Sequence, residues 1–229
     1  MRGGLSNIAR RFELAAERLR KERQDEPQGE RQGEVREVLS LSNTGFDEIP
    51  EERVEGEYVR MSPRLAVNHN RVMGNIFFLF RQFLRGKAFE AFSSGVNLYL
   101  DEGNVLVPDV MIVCNPDHIQ FDGVYGAPGL VVEVLSPTTA ARDRGVKFRR
   151  YEKAGVKEYW IVSPEAMSIE VYLLKEGRME LDEVYVVPPA WAWEKMSEKE
   201  RAETKLRLKV SLSEGFLIDV REVFENVRP

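Results

Sequence analysis

Residues 105–114 read VLVPDVMIVC, and residues 130–136 read LVVEVLS. Side chains of a β-strand alternate between its two faces. In each of these stretches both faces are apolar, apart from a single acid on one of them. These acids are Asp109 and Glu133. Strands that are apolar on both faces lie inside a sheet that is covered on both sides. The sequence therefore predicts two interior strands, each with one carboxylate among aliphatic neighbours.

Helices and a further strand are predicted around these two strands. Apolar residues recur at helical spacing over residues 66–86 and predict a long core helix. The basic segment 139–154 predicts a second helix that ends at Gly155, and residues 159–162 predict the strand that follows. A strand, a helix and a parallel strand form a right-handed crossover. We therefore predict an α/β fold with a mixed central β-sheet flanked by helices.

Two hairpins are predicted on either side of this crossover. The first joins residues 96–100 to residues 105–114 through the turn 101–104. The second joins residues 169–174 to residues 181–187.

The composition is that of a folded chain with no excess of basic residues. The 229 residues are 43% hydrophobic and 31% charged, and 33 Lys and Arg against 38 Asp and Glu give a net charge of -5. A polyanion must therefore be bound by a local basic patch. One cysteine and two histidines make a Cys/His zinc site unattainable and fit a reducing compartment. No apolar stretch approaches the ~20 residues that span a bilayer. We expect a cytoplasmic protein without a membrane partner.

The first 43 residues differ in composition from the rest. They are rich in Arg and Glu and have only a thin apolar stripe, which predicts a charged helical arm and a linker. A compact domain is predicted over residues 44–229.

The two buried acids require a positive partner, because an unpaired carboxylate in an apolar interior is strongly unfavourable. Mg²⁺ prefers one or two carboxylates together with carbonyl and water oxygens. Asp109, Glu133 and the backbone carbonyl of Val134 therefore predict a site for Mg²⁺ or Mn²⁺. Pro108 supports this interpretation, because proline marks strand ends and bulges at which side chains are redirected. The residues alone leave a second interpretation open, in which the acids pair with a lysine or arginine and no metal binds.

The basic helix brings three more polar side chains to one face. Asp143, Lys147 and Tyr151 are spaced four residues apart. A lysine near a bound phosphate would stabilise developing negative charge. The alternative is an ordinary ion pair on the helix surface.

These motifs together resemble the Uma-two family of restriction-endonuclease-like proteins, which belongs to the PD-(D/E)XK nuclease superfamily. The likeness extends from about Phe46 to residue 224 and leaves the amino-terminal arm outside. It is carried by PDVMIV (108–113), VVEVLSP (131–137), the helix just described, GVKEYWIVSP (155–164) and GFLIDVREVF (215–224).

The resemblance implies a metal-dependent endonuclease that hydrolyses phosphodiester bonds in DNA, with Asp109 and Glu133 as metal ligands. The superfamily lysine normally stands two residues after the second acid, where this chain has Leu135. The resemblance therefore nominates Lys147 as the catalytic lysine, with Tyr151 beside it. It also nominates His69, at the start of the first long helix, although a histidine there equally fits a capping or packing role.

The resemblance also implies DNA and a second copy of the chain as partners. Residues 142–158 contain seven basic and three acidic residues, a local balance of 7 - 3 = +4. We predict phosphate contacts for Arg142, Arg144, Arg150 and Arg71, while a solvated helix face remains the alternative. Because Leu135 replaces the usual lysine, a catalytically inactive nuclease-fold module for nucleic-acid binding or homo-oligomeric assembly is the second functional hypothesis.

Overall fold

The computed structural model describes residues 51–60 and 66–228. The predicted arm and linker, residues 1–43, and the predicted start of the domain at residue 44 lie outside the described residues. Within the described ranges, no helix is both long enough and apolar enough to cross a membrane.

The described residues form fourteen strands and six α-helices. The strands are β1 (Glu51–Val54), β2 (Glu57–Arg60), β3 (Glu90–Ser93), β4 (Leu98–Asp101), β5 (Asn104–Leu106), β6 (Val110–Val113), β7 (Ile119–Gln120), β8 (Gly123–Tyr125), β9 (Leu130–Val134), β10 (Glu158–Ser163), β11 (Ser168–Lys175), β12 (Arg178–Val186), β13 (Arg207–Lys209) and β14 (Leu217–Asp219). The helices are α1 (Val67–Leu84), α2 (Ala140–Arg142), α3 (Phe148–Ala154), α4 (Ala190–Lys195), α5 (Glu198–Glu203) and α6 (Val220–Val223). A π-helical turn, Asp143–Lys147, joins α2 to α3.

These strands form two six-stranded sheets and one two-stranded sheet. The central sheet has the order β12-β11-β10-β9-β6-β3, and the second sheet has the order β2-β1-β5-β4-β8-β7. In the central sheet, β9 and β10 are parallel and connected through α2 and α3, whereas the other neighbours are antiparallel. The predicted α/β class with a mixed sheet and flanking helices is therefore confirmed.

The three middle strands of the central sheet, β6, β9 and β10, are buried on both faces, as the apolar alternation predicted. Val110, Val132 and Trp160 pack on the side of α1, in a cluster with its apolar stripe. Met111 and Val131 face the other way, into a cluster shared with the second sheet and α3. Because β6 and β9 are interior strands, any polar side chain on either of them is enclosed by protein.

The stretch 105–114 is not one strand, so this part of the prediction was wrong. β5 ends at Leu106 and belongs to the second sheet, whereas β6 begins at Val110 in the central sheet. Pro108 lies in the connection, and it has no N–H with which to continue a ladder. The break places Asp109 at the point where the chain enters the central sheet.

Candidate active site

Asp109 and Glu133 lie near one another at the end of the β6–β9 ladder. The last pair of this antiparallel ladder is Val110 with Val132, and each acid is the next residue beyond that pair. The charge of Asp109 is close enough to act on the Glu133 carboxyl group. The structure thus brings together the two carboxylates that stand 24 residues apart in sequence (133 - 109).

The Asp109 carboxylate is held by one main-chain group and one side chain. Its Oδ2 accepts a hydrogen bond from the Val134 N–H at 2.7 Å. His69 Nε2, from the first turn of α1, lies 3.4 Å from the same oxygen. Burial alone would lower the pKa of His69, but the Asp109 carboxylate outweighs burial, and the pKa is raised. The imidazolium form is therefore favoured beside Asp109.

Glu133 is almost fully buried and has two donors on one oxygen. Its Oε1 accepts from the Tyr151 hydroxyl at 2.6 Å and from Lys147 Nζ at 3.0 Å. Burial raises the pKa of Glu133 well above its usual value, and the nearby carboxylates add to this effect, whereas Lys147 opposes it. A proton or a further cation is therefore favoured at this carboxylate.

The Lys147 ammonium group is surrounded by three carboxylates. Its Nζ is 2.7 Å from Glu52 Oε1, 3.0 Å from Glu133 Oε1 and 3.8 Å from Asp143 Oδ1. Burial would lower the pKa of Lys147, but the three carboxylates raise it above its usual value. Because the Asp143 and Lys147 side chains are only 2% and 4% exposed, the alternative of a surface ion pair is wrong.

The π-helical turn Asp143–Lys147 supplies both Lys147 and one of the acids around it, Asp143. Such turns are rare and occur frequently at functional sites, because they interrupt the regular hydrogen-bond ladder of a helix. The Tyr159 hydroxyl of β10 donates to the Asp143 carbonyl oxygen at 3.1 Å. This contact between β10 and the turn fixes the segment that carries Lys147 over the sheet.

Glu52, in β1 of the second sheet, is a site residue that sequence reasoning missed. Its side chain is 1% exposed, and Oε1 accepts from the Val107 N–H at 2.9 Å as well as from Lys147. The available signal was the period-two pattern of EERV, in which Glu52 and Val54 share a face. Glu52 lies within a run of acidic residues that has the composition of a solvent-exposed segment, so the pattern did not single it out.

The donor set of this cluster fits a hard divalent cation. Four carboxylates (Glu52, Asp109, Glu133 and Asp143) meet two cationic groups (His69 and Lys147), so the excess is 4 - 2 = 2 negative charges when all are ionised. Asp109 Oδ1 and Glu133 Oε2 accept no hydrogen bond from any described residue.

Within residues 51–60 and 66–228, no three His, Cys, Asp or Glu side chains are arranged around a common metal position. A cation here would therefore depend on the two carboxylates together with main-chain and water oxygens, which is the mixture that Mg²⁺ prefers. The Val134 carbonyl is the main-chain oxygen that follows Glu133.

The four arginines predicted to contact phosphate differ in their surroundings. Arg144 makes a bidentate ion pair with Glu170 of β11, at 2.6 and 2.7 Å. Arg150 pairs with Glu55 in the turn between β1 and β2. Arg142 is half-buried, and Arg71 Nη1 donates to Asn68 Oδ1 at 3.1 Å on α1. A phosphate would have to compete with a carboxylate for Arg144 and for Arg150.

Residues 36–200, which include every residue of this cluster, match the Uma2 family, described as "Putative restriction endonuclease". The chain belongs to the Uma2 family. The resemblance inferred from the motifs of this Uma2 protein is thereby confirmed.

Two uncharacterized proteins of Synechocystis sp. are similar to this Uma2 chain. One is 35% identical over 107 residues, which are 46% of this chain and 56% of that protein. The other is 27% identical over 125 residues, which are 53% and 70% of the two chains. The chain thus matches little more than half the length of the first relative.

A solved structure from Anabaena variabilis, described as "a putative nuclease belonging to DUF820", superposes on this Uma2 chain with a TM-score of 0.56. The superposition covers 77% of this chain and 90% of that one at 15% identity. At this identity the likeness shows a shared fold.

Proposed function

We propose that this Uma2 protein is a metal-dependent endonuclease that hydrolyses phosphodiester bonds in DNA. The observation that carries the proposal is the pair Asp109 and Glu133, in which one oxygen of each carboxylate is bound by the protein and the other is not. The family description supports the reaction class, because a restriction endonuclease cleaves DNA.

Asp109, Glu133 and the Val134 carbonyl would hold the cation. When bound, a hard divalent cation lowers the pKa of a coordinated water and neutralises charge on a phosphate. The protein's part is to hold these oxygens in place, since the Val134 N–H orients Asp109 and Tyr151 orients Glu133.

Lys147 and His69 would act on the negative charge of the phosphate. The raised pKa of Lys147 keeps it cationic at neutral pH, so it acts as a fixed positive charge and not as a general base. The raised pKa of His69 favours the form that can donate a hydrogen bond to a phosphate oxygen. Fixed cations of this kind stabilise charge that develops in the transition state.

Cleavage of plasmid DNA in Mg²⁺ or Mn²⁺ tests the proposal. We expect the wild type to cleave the plasmid and EDTA to stop this cleavage. Asp109→Asn should abolish cleavage. Lys147→Ala should lower the cleavage rate by at least about 100-fold, as removal of a transition-state donor does. Asp117→Asn and Lys209→Ala, which change exposed residues with the same chemistry, are the matched controls. Equal cleavage by all preparations would indicate a contaminating nuclease and contradict the proposal. Labelled DNA and RNA oligonucleotides of one sequence then test the substrate.

The second candidate is a nuclease-fold module that binds nucleic acid without cleaving it. The enclosure of Lys147 by Glu52 and Glu133 favours this candidate, because the lysine charge is already neutralised within the protein. DNA binding that survives Glu133→Gln, together with no hydrolysis in any divalent metal, would select it.

A further inference from the structure

Helix α1 is unusual in this chain because it contains no acidic residue. The chain has 38 Asp and Glu among 229 residues, yet the eighteen residues of α1 carry only Arg71, Arg81 and a histidine as ionisable groups. Arg85 and Lys87 follow directly after the helix. Arg81, Arg85 and Lys87 thus lie together at the carboxyl-terminal end of α1, in a protein whose net charge is -5.

An open groove of ≈ 660 Å³ lies at the carboxyl-terminal end of α1. Arg81, Arg85 and Lys87 line it, and Glu90 is the one acid among its described lining residues. Phe78 also lines the groove, and its side chain is 65% exposed. The groove therefore combines three cations with a solvent-exposed aromatic ring.

The three cations of the groove differ from Arg144 and Arg150, two of the arginines predicted to contact phosphate. Arg144 and Arg150 each have a carboxylate partner. None of the groove cations forms an ion pair with a residue in the described part of the chain, and Lys87 Nζ instead lies 3.6 Å from the centroid of the Phe83 ring. A ligand phosphate would not have to displace a carboxylate here.

The helix dipole explains only part of this arrangement. Cations in the last turn of a helix interact favourably with its carboxyl end, and Arg81 occupies that turn. Lys87 lies beyond the helix, and an exposed phenylalanine gains nothing from the dipole. An exposed aromatic ring beside unpaired cations is instead a combination that occurs in grooves that bind nucleic acid.

We infer that this α1 groove (Phe78, Arg81, Arg85 and Lys87) binds the sugar–phosphate backbone of nucleic acid, with a sugar of the backbone against Phe78. The inference rests on the proposed function for the identity of the ligand. Arg81 is twelve residues beyond His69 in α1, a rise of about 18 Å at 1.5 Å per residue, so the groove is separate from the acid cluster beside His69.

Binding of fluorescent 20-base-pair DNA in EDTA tests the groove without cleavage. We expect R81A/R85A/K87A to weaken binding at least about tenfold and to reduce the slope of log K against log salt by about 3, since each phosphate contact contributes about 0.9. Phe78→Ala should weaken binding with little change in slope. R178A/R207A/K209A removes the same charge from exposed positions on β12 and β13 and should bind as wild type does.

Two results would overturn the inference. They are wild-type affinity in R81A/R85A/K87A and an equal loss of affinity in the control variant. Circular dichroism melting checks that each variant is folded.

Cleavage in Mn²⁺ over a range of DNA concentrations separates this inference from the proposed function. The groove variant should need more DNA than the wild type to reach half of its maximal rate, whereas R178A/R207A/K209A should cleave as the wild type does. Groove-dependent binding by a wild-type protein that never cleaves would contradict the nuclease proposal and support the groove.

Discussion

A buried carboxylate such as Glu133 is stable only where donors replace the water that it loses. Tyr151 and Lys147 supply them, and both donate to the same oxygen. This leaves the second oxygen to a ligand, so the two donors stabilise the fold and orient the carboxylate at once.

Replacing Tyr151 by Phe separates the hydrogen bond from the ring packing. The ring stays buried, but Glu133 loses a donor, and we expect the free energy of unfolding to fall by about 1.5–3 kcal/mol, the range for hydrogen bonds to charged groups. Tyr159→Phe is the matched control, because its hydroxyl donates to the neutral Asp143 carbonyl, and about 0.5–1.5 kcal/mol is expected. Urea unfolding measures both. Equal losses would show that the hydrogen bond to Glu133 stabilises the fold no more than the hydrogen bond to a neutral carbonyl does.

At the scale of elements, Glu158 connects the central sheet to the segment after β13. It begins β10 and accepts from Trp160 Nε1 at 2.6 Å, from the Ser211 N–H at 2.7 Å and from Ser211 Oγ at 2.5 Å. Burial raises the pKa of Glu158, although these hydrogen bonds oppose the shift. The proton is therefore bound more tightly in the folded than in the unfolded chain.

This shift predicts how the Glu158 contact responds to pH. A raised folded pKa gives a contribution that is complete below the unfolded value of 4.5 and is lost as the pH rises through the folded value. Glu158→Gln cannot titrate, so the wild-type free energy of unfolding minus that of the variant should decrease over the pH range that begins at 4.5 and extends through the raised folded value. Urea unfolding across this range measures the difference. A constant difference would contradict the raised pKa.

The sequence predicted strands and helices correctly where the local pattern of apolar residues matches the burial of the folded chain. The alternation in residues 130–134 predicted an interior strand, and β9 has this place between β10 and β6. Residues 105–114 show equal alternation, yet the chain changes sheets at Pro108, because pairing between distant strands decides where a ladder ends. The π-helical turn Asp143–Lys147 likewise has no distinct local pattern in the sequence.

In the candidate site, too, some residues could be predicted from the sequence and others could not. Asp109 and Glu133 stand out because acids are rare in interior strands, and their proximity follows from the pairing of β6 with β9. Glu52 does not stand out, because its burial depends on the packing of the second sheet over Lys147. The catalytic roles of these residues stay predictions.

On the scale of the whole molecule, the site exists only in the folded chain. β1, α1, the β6–β9 ladder and the π-helical turn each contribute a charged group, and these segments are far apart in sequence. A cation that binds this cluster therefore binds the native state and not the unfolded chain, so its binding free energy adds to the stability of the fold.

Thermal unfolding in Mn²⁺ measures this coupling through the whole fold. At a metal concentration 100 times Kd, the stabilisation is about 2.7 kcal/mol. Since 1 kcal/mol shifts the Tm of a domain of this size by about 2–4 °C, we expect a rise of about 5–10 °C.

Two variants should change this rise in opposite directions. Asp109→Asn removes a ligand and should abolish most of it. Lys147→Met should lower the metal-free stability by about 3–5 kcal/mol, because it leaves buried carboxylates unpaired. The same variant should show a larger rise in Tm, because the excess negative charge of the cluster increases from two to three. Equal rises in all three proteins would place the Mn²⁺ elsewhere and contradict a metal site at Asp109 and Glu133.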